Sequence, residues 1–598
     1  MVTNKHISKI IIAVMTVAVV LCFLAILFSE QLKEAFGGTG VSMEYESKLF
    51  NTDEIITVDI QIDDEDWNEM LENALSEEYY VCNVVINGKR INNVAVRPKG
   101  NTSLSSIAMD PDTDRFSLKL EFDHYIEGQT CYGLDELLLN NNYADATNMK
   151  EAVIFDMFQY LGADASLYNY AKVSVNGEYT GIYLALEGVG DSFMLRNFGT
   201  QDGELYKPDS MDMGGDDKSS KSSKPGGDFS FDPENMPEEG DSDFNPENMS
   251  GEGDSDFNPG NMSDMGGSSK DGGANLNYSD DNTDSYSTIW AGEVTKTGDA
   301  DHRKVVTALK NISEGTDLET YLDVDNVLKY MAVHTFAVNM DSLSGTMAHN
   351  YYLYEYDGRL NIFPWDYNLS LGGMSMGNDS DATEVVNDAI DTPFSGTRFF
   401  DTLLADEEYR ERYHEYLRQL VDEYVNGGRF DEVYNRIRTQ IDSLVETDPT
   451  AFYSYDEYLT ASGLLYETIE LRAASIEGQL DGTIPSTDEG QREDSSALID
   501  ASHIDLGAMG KLGMGGSAPS PGDNNETDPR GENDPIKREP PDFGDRSNRA
   551  DDRNNPSFQG ASAQNSGQAM IKNGIIYVSC LAVMLVMMLI MKRIKRRR

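Results

Sequence analysis

The sequence predicts an α+β fold in two lobes around a cleft, held between two apolar helices. Three observations carry that expectation. Period-two alternation and Asn-Gly turns dominate the first half of the folded part, and helical periodicity dominates the second. Two uncharged apolar runs stand near the two ends of the chain. Polar stretches rich in Gly, Ser, Asp and Pro separate the segments able to bury a core.

The apolar runs come first. Ile10 to Phe28 is a stretch of 19 almost wholly apolar residues, long enough to span a bilayer. Lys5 and Lys9 precede it and Glu30 follows it, which places the N-terminus in the cytoplasm. No clear small-x-small cleavage site follows, so an uncleaved anchor is expected rather than a signal peptide. At the other end Ile575 to Met591 is apolar and runs into Lys592, Arg593, Lys595, Arg596, Arg597 and Arg598, a tail that stays inside. With both termini inside, everything between them is expected outside.

Three stretches read as unpacked. Ser210 to Tyr286 holds 19 acidic residues against 4 lysines and repeats FDPENM, FNPENM and FNPGNM with a period of 13. High charge with few apolar residues cannot offset the entropy of ordering, so a disordered acidic insertion is expected over 210–286. Residues 482–570 are mixed-charge and rich in Pro and Gly, the composition of a tether. Gly37 to Ser47 is a shorter one.

The remaining segments, within 50–481, are expected to fold together. ITVDIQI at 56–62 alternates as a strand, and DEDWNEMLENAL is a helix opened by acids. YYVCNVVI and KRINNVAVRPKG flank Asn87-Gly88, a hairpin signature, and a second Asn-Gly hairpin follows in YAKVSVNGEYTGIYLALEGV. RFSLKLEF at 115–122 places Phe116, Leu118, Leu120 and Phe122 on one face and Lys119 on the other. Helices are expected at 147–161, 326–339, 399–426, 430–446 and 456–480, with a hairpin over HNYYLYEY-DG-RLNIFPWD.

A formal charge of -57 argues against nucleic acid as a partner, because phosphate binding needs basic patches. Of four cysteines, Cys22 and Cys580 lie in the apolar runs, which leaves Cys82 and Cys131 as the one pair open to a disulfide. Asp110, Asp112, Asp114 and Glu121 have calcium-loop spacing, but Arg115 stands where that loop needs Gly, and the site is rejected. Walker A and HEXXH patterns are absent.

What remains is a set of polar residues on apolar elements. Lys119 is either a solvated edge lysine or a cleft lysine facing phosphate oxygens. Glu151 shares a stripe with Ile154, Phe155 and Phe158, which suits a partner for a strand lysine or an acid favoured at a helix start. Asp341 ends an apolar helix, Asn350 enters a hairpin and Asp366 leaves it. An acid to accept a hydroxyl proton, with Asn and a second acid to hold Mg²⁺ on phosphates, are the parts of a phosphotransferase; caps and turns use the same residues. Arg97, Lys99 and Gly100 flank a turn that suits an anion, or a solvated hairpin end.

Taken together, VRPKGNTS, FSLKLEFD, TNMKEAVIFDMF, NGEYTGIYLALEGVGDSFM with NFG, GELYKP, NMD and HNYYLYEYDGRLNIFPWD resemble the spore coat protein H (CotH) kinase family in content and order. The resemblance implies an atypical protein-kinase-like bilobal domain that transfers a phosphoryl group from ATP, with Mg²⁺, to Ser or Thr of a protein, the chain itself included. It implies Lys119 as the phosphate-binding lysine with Glu151 its helix partner, Asp341 as the catalytic acid, and Asp366 and Asn350 as metal ligands. Arg97, Lys99 and Gly100 join the nucleotide-binding set. Where the family carries WDxD, this chain has Trp365-Asp366-Tyr367-Asn368, one acid fewer. With the two anchors, the expected location is a bacterial cell membrane with the main domain extracytoplasmic. The other expectation is a non-catalytic kinase-like scaffold of the cell surface.

Overall fold

The computed structural model describes residues 40–208, 272–345, 348–375, 381–510 and 512–513. The chain divides into two units, Met1–Asp523 and Asn524–Arg598; every described residue belongs to the first.

Seven strands form the first layer: β1 (Ile56–Gln61), β2 (Tyr80–Ile86), β3 (Lys89–Lys99), β4 (Ser117–Glu121), β5 (Glu136–Asn140), β6 (Tyr168–Val175) and β7 (Glu178–Glu187). Asn87-Gly88 between β2 and β3, and Asn176-Gly177 between β6 and β7, each place two successive residues at positive φ (49° and 79°, 51° and 87°). That is the turn whose twist matches a two-residue hairpin. The order is β1-β2-β3-β4-β5-β7-β6, and β1 pairs parallel with β6 from Ile56↔Ala171 to Ile60↔Val175, so the sheet closes into a barrel. Val58, Ile60, Val84, Val96, Leu118, Leu120, Leu137 and Leu139 fill its interior as one apolar cluster.

A second, larger core gathers outside the barrel. It takes in the helix Lys150–Leu161, the sheet of β8 (Glu204–Tyr206), β9 (Tyr351–Tyr356) and β10 (Arg359–Pro364), and the helices Val324–Ala337, Arg429–Glu446 and Tyr455–Leu480. The expected helix at 399–426 is three pieces, Asp401–Ala405, Glu407–Gln419 and the wider-wound Leu420–Val425. Arg472, fully buried in Tyr455–Leu480, donates to the carbonyls of Thr335 (2.7 Å), Val386 (3.1 Å) and Asp388 (2.7 Å). Replacing it by Met would leave those oxygens dry. Arg472→Met is therefore expected to lower stability by about 3–5 kcal/mol, read as a drop in the midpoint of chemical unfolding.

Several expectations are corrected here. The fold is a mixed α/β arrangement around a closed seven-stranded barrel, not the expected kinase-like bilobe, and the described residues include neither of the expected membrane helices. The physical reason is the β1–β6 pairing, which joins strands far apart in the sequence and seals the sheet. No helix among the described residues is long and apolar enough to cross a membrane. The apolar Val324–Ala337 has 14 residues, about 21 Å of rise against a core of about 30 Å. The 26-residue Tyr455–Leu480 carries charges along its length. The expected two-span anchoring at a bacterial cell membrane finds no support among the described residues; its spans, 10–28 and 575–591, lie outside them.

The stretches expected to be unpacked are also shorter at their described ends. Tyr45 is fully buried on a short helix, Glu44–Lys48. Ala274, Leu276 and Tyr286 are buried inside the supposed insertion, and Ala501, Ile504, Leu506 and Met509 join the larger core from the supposed tether. Such segments pack through isolated apolar side chains, which leave no periodic trace in a sequence. Cys82 and Cys131 are both free and buried, and burial pushes each thiol up to about 12.

Candidate active site

Strand alternation sets a polar row on the outside of the barrel. Lys99 faces Ser117 and Arg97 faces Lys119 across β3 and β4, and Glu121 faces Glu136 across β4 and β5. Lys119 Nζ lies 2.7 Å from Glu136 Oε1 and 3.4 Å from Glu121 Oε2. Burial pulls its ammonium down, but Glu136 leads the groups that hold it above the usual lysine range. Arg97 Nη1 is 2.6 Å from Glu77 Oε2, with its guanidinium 5.3 Å over the Tyr79 ring. Gly100, at φ +137°, makes the turn into the helix Thr102–Met109; a Cβ there would stand 3.0 Å from Ser103 Oγ.

Lys99, one alternation further on, reaches a different partner. Its Nζ lies 2.5 Å from Asn140 Oδ1, and Asn140 Nδ2 donates to Glu151 Oε2 at 2.8 Å. Glu151 Oε1 accepts from the Tyr367 N–H at 3.3 Å. Glu151 is placed by the start of its helix, where Asp145 and Thr147 accept from the backbone N–H groups of Lys150 and Met149. The lysine linked to Glu151 is thus Lys99, through an amide, while Lys119 belongs to a separate ion pair.

Two loops complete the site. The helix Val324–Ala337 ends at Val338, in left-handed conformation, and the chain turns into Asn339 and Asp341. Asp341 Oδ1 is 2.9 Å from His349 Nε2, and Asn350 Nδ2 donates to Asp341 Oδ2 at 3.1 Å and to its carbonyl at 2.7 Å. Beyond β10, Asp366 takes φ +57°, a conformation that Asp and Asn tolerate better than other side chains. Asn339 ties the loops together: its Oδ1 accepts from the Asp341 N–H at 3.3 Å, and its Nδ2 donates to the Asp366 carbonyl at 3.1 Å.

The charges are crowded. Burial, then the nearby Asp366, pushes the Glu151 carboxyl up to about 7. Burial also raises Asp366, with Lys99 the chief opposing charge, Asp341 adding to the rise and Lys207 and His349 opposing it. Lys99 is itself pulled down by burial, against the pull of Asp366 and Glu151. Lys207 Nζ sits 5.2 Å over the Trp365 ring, and Lys99 Nζ 5.6 Å over it.

Lys99, Glu151, Asp341, Asn350 and Asp366 therefore share one neighbourhood, with Lys119 and Arg97 in ion pairs beside it. Sequence reasoning missed Asn140, Asn339, His349 and Lys207; the last three stand inside the quoted NMD, HNYY and GELYKP segments, whereas Asn140 had no signal. Glu187 is a structural acid, held by Arg196 at 2.6 Å and the Tyr45 hydroxyl at 2.5 Å. Among the described residues no three His, Cys, Asp or Glu side chains form a metal cage. Mg²⁺ carried with a nucleotide needs only one or two carboxylates, the rest being phosphate and water. Asp366 and the Asn350 Oδ1 fit that demand.

Beneath the loops lies His334, buried, with Nδ1 2.8 Å from the Tyr367 hydroxyl and Nε2 2.7 Å from Ser344 Oγ. Burial lowers its pKa to about 3. The unfolded chain takes up a proton near 6.5 that the folded chain refuses, so this stability is full above that pH and is withdrawn as pH falls toward 3. The loss is expected at about 1.4 kcal/mol per pH unit, seen as the slope that His334→Gln removes from urea-unfolding series between pH 7 and pH 4.

A family model described as CotH kinase protein matches residues 96–476. No curated protein matches the chain.

Proposed function

We propose that this chain, which belongs to the CotH kinase family, transfers the γ-phosphoryl group of ATP to a Ser or Thr hydroxyl of a protein. Family membership implies ATP-dependent phosphoryl transfer in general; the acceptor and the residue roles are this proposal. The observation that carries it is the Asn339 bridge, which holds two acids from different loops next to a half-buried lysine.

Asp341 accepts the proton of the attacking hydroxyl; it follows the exposed Met340, stays partly open itself, and is oriented by His349 and Asn350. Lys99 meets the phosphate oxygens, and its lowered ammonium gains from their charge. Asp366 and Asn350 would hold Mg²⁺, which when bound neutralises phosphate charge. Glu151, through Asn140, fixes the lysine and the backbone after Asp366. Lys119, already neutralised by Glu136, steadies the strand pair.

The non-catalytic reading has one point in its favour. Asn368 stands where the family has an acid, and its Nδ2 donates to the Tyr143 carbonyl at 3.1 Å, a bond Asp could not make. Incubation of the full chain with radiolabelled ATP, Mg²⁺ and an acceptor protein mixture separates the two readings. Protein-bound label is expected, with Lys99→Met lowering the rate by about 10²–10³ and Lys119→Met by less than tenfold. Absence of label together with no nucleotide-induced rise in melting temperature would leave only the scaffold.

A further inference from the structure

Asn339 is not the only tie between the two acid-bearing loops. Tyr367 follows Asp366, and Ser342 follows Asp341; both reach the same imidazole, that of His334. Its Nδ1 stands 2.8 Å from the Tyr367 hydroxyl, and its Nε2 stands 2.7 Å from Ser344 Oγ and 3.2 Å from Ser342 Oγ.

The hydroxyl protons point to one tautomer. Ser342 Oγ donates to the Asn339 carbonyl at 2.7 Å, and Ser344 Oγ donates to the same oxygen at 2.9 Å. A serine hydroxyl has one proton to give, so neither serine can also donate to the ring. With both serine protons on that carbonyl, Nε2 carries the hydrogen and donates to Ser344, and Nδ1 accepts from Tyr367; the reversed set, with Ser344 donating to Nε2, joins the same groups.

The ring has little freedom to do otherwise. Tyr330 and Phe394 stack near it, at centroid distances of 5.4 Å and 5.5 Å. Arg472 clamps the carbonyls of Thr335 and Phe336, so the helix end beside it is fixed as well. On the far side the backbone of Gly396 closes on the Asp341 loop: its N–H donates to the Ser344 carbonyl at 2.9 Å, and a Cβ there would fall 1.9 Å from the Gly345 oxygen.

We propose that His334 is a positioning residue for phosphoryl transfer, yoking the Asp341 loop to the Asp366 loop through its two ring nitrogens. The proposal rests on the phosphotransfer reading above for its catalytic consequence, though not for the yoke itself. A core histidine that merely filled space would give stability alone. A yoke also sets the distance between the two acids, so that breaking it costs turnover more than nucleotide binding.

Tyr367→Phe tests this in the full chain, because it removes one oxygen and keeps the ring. Turnover is expected to fall by about ten- to a hundredfold while the KM for ATP stays within about twofold. Amide exchange at Ser344 and Gly345, in the opposite loop, is expected to quicken. ¹⁵N spectra of the wild-type imidazole are expected to show the Nε2–H form. Ser344→Ala cuts the yoke from the other side and is expected to quicken exchange at the Tyr367 amide, which serves if the first variant does not fold. Exchange in the opposite loop unchanged in a folded variant overturns the yoke, and an Nδ1–H tautomer overturns the proton assignment. Quickened exchange with unchanged turnover overturns its catalytic role. Should the wild-type chain transfer no phosphate, the phosphotransfer reading fails, and the exchange results still decide the yoke.

Discussion

Asp366→Asn is expected to reduce phosphoryl transfer by at least about 10²–10³ and to leave the fold intact. The reason lies in the backbone: Asp366 occupies a left-handed conformation that Asn adopts as readily. The carbonyl bond from Asn339 involves the main chain and survives. Only the charge goes. Because burial already disfavours that charge, the ligand-free variant is expected to melt no lower than the wild type. The Glu151 carboxyl, held up near 7 in part by Asp366, is expected to fall back toward its ordinary range. The affinity for nucleotide with Mg²⁺ should drop, and titration calorimetry with and without the cation measures it. Wild-type turnover in a folded variant would remove Asp366 from the reaction.

Asp341→Asn is expected to act differently. It keeps the shape of the side chain beside His349 and Asn350 but removes the acceptor of the hydroxyl proton. Turnover should fall by about 10²–10⁴ with the KM for ATP nearly unchanged, because this acid meets the acceptor rather than the nucleotide. A loss confined to KM would reverse the roles of the two acids. Single-turnover measurement of phosphate transfer distinguishes these outcomes.

Much of this arrangement was legible in the sequence, and the remainder was hidden for definite reasons. Asn87-Gly88, Asn176-Gly177 and Asp357-Gly358 announced their hairpins because two successive positive φ values demand such residues. The alternation of Phe116, Leu118 and Leu120 put Lys119 on the outer face, where it is. Asp341, Asn350 and Asp366 were recognisable as a set, since they stand close along the chain, between a helix and a hairpin and just past the hairpin's end. Which lysine is linked to Glu151 was not. Lys99 and Lys119 lie on one face of adjacent strands, and only the reach of Asn140 and Glu136 decides which acid each meets. Barrel closure was equally invisible, as was the ion pair of Arg115 with Asp448 at 2.7 Å, because partners so distant leave no local pattern. The buried stretches at 272–286 and 501–509 escaped because turn-rich composition masks a few well-seated apolar side chains.

The parallel pairing of Ile56–Ile60 with Ala171–Val175 has a consequence for how the protein is made. During synthesis the first strand leaves the ribosome long before its second neighbour exists, and must wait with one row of backbone hydrogen-bonding groups open to water. The hairpins β2–β3 and β6–β7 can form at once, whereas β5–β7 and β1–β6 join strands farther apart, β1–β6 the farthest. The slow step of maturation is therefore expected to be this closing contact, with the interval before it the one most open to pairing with a copy of the chain.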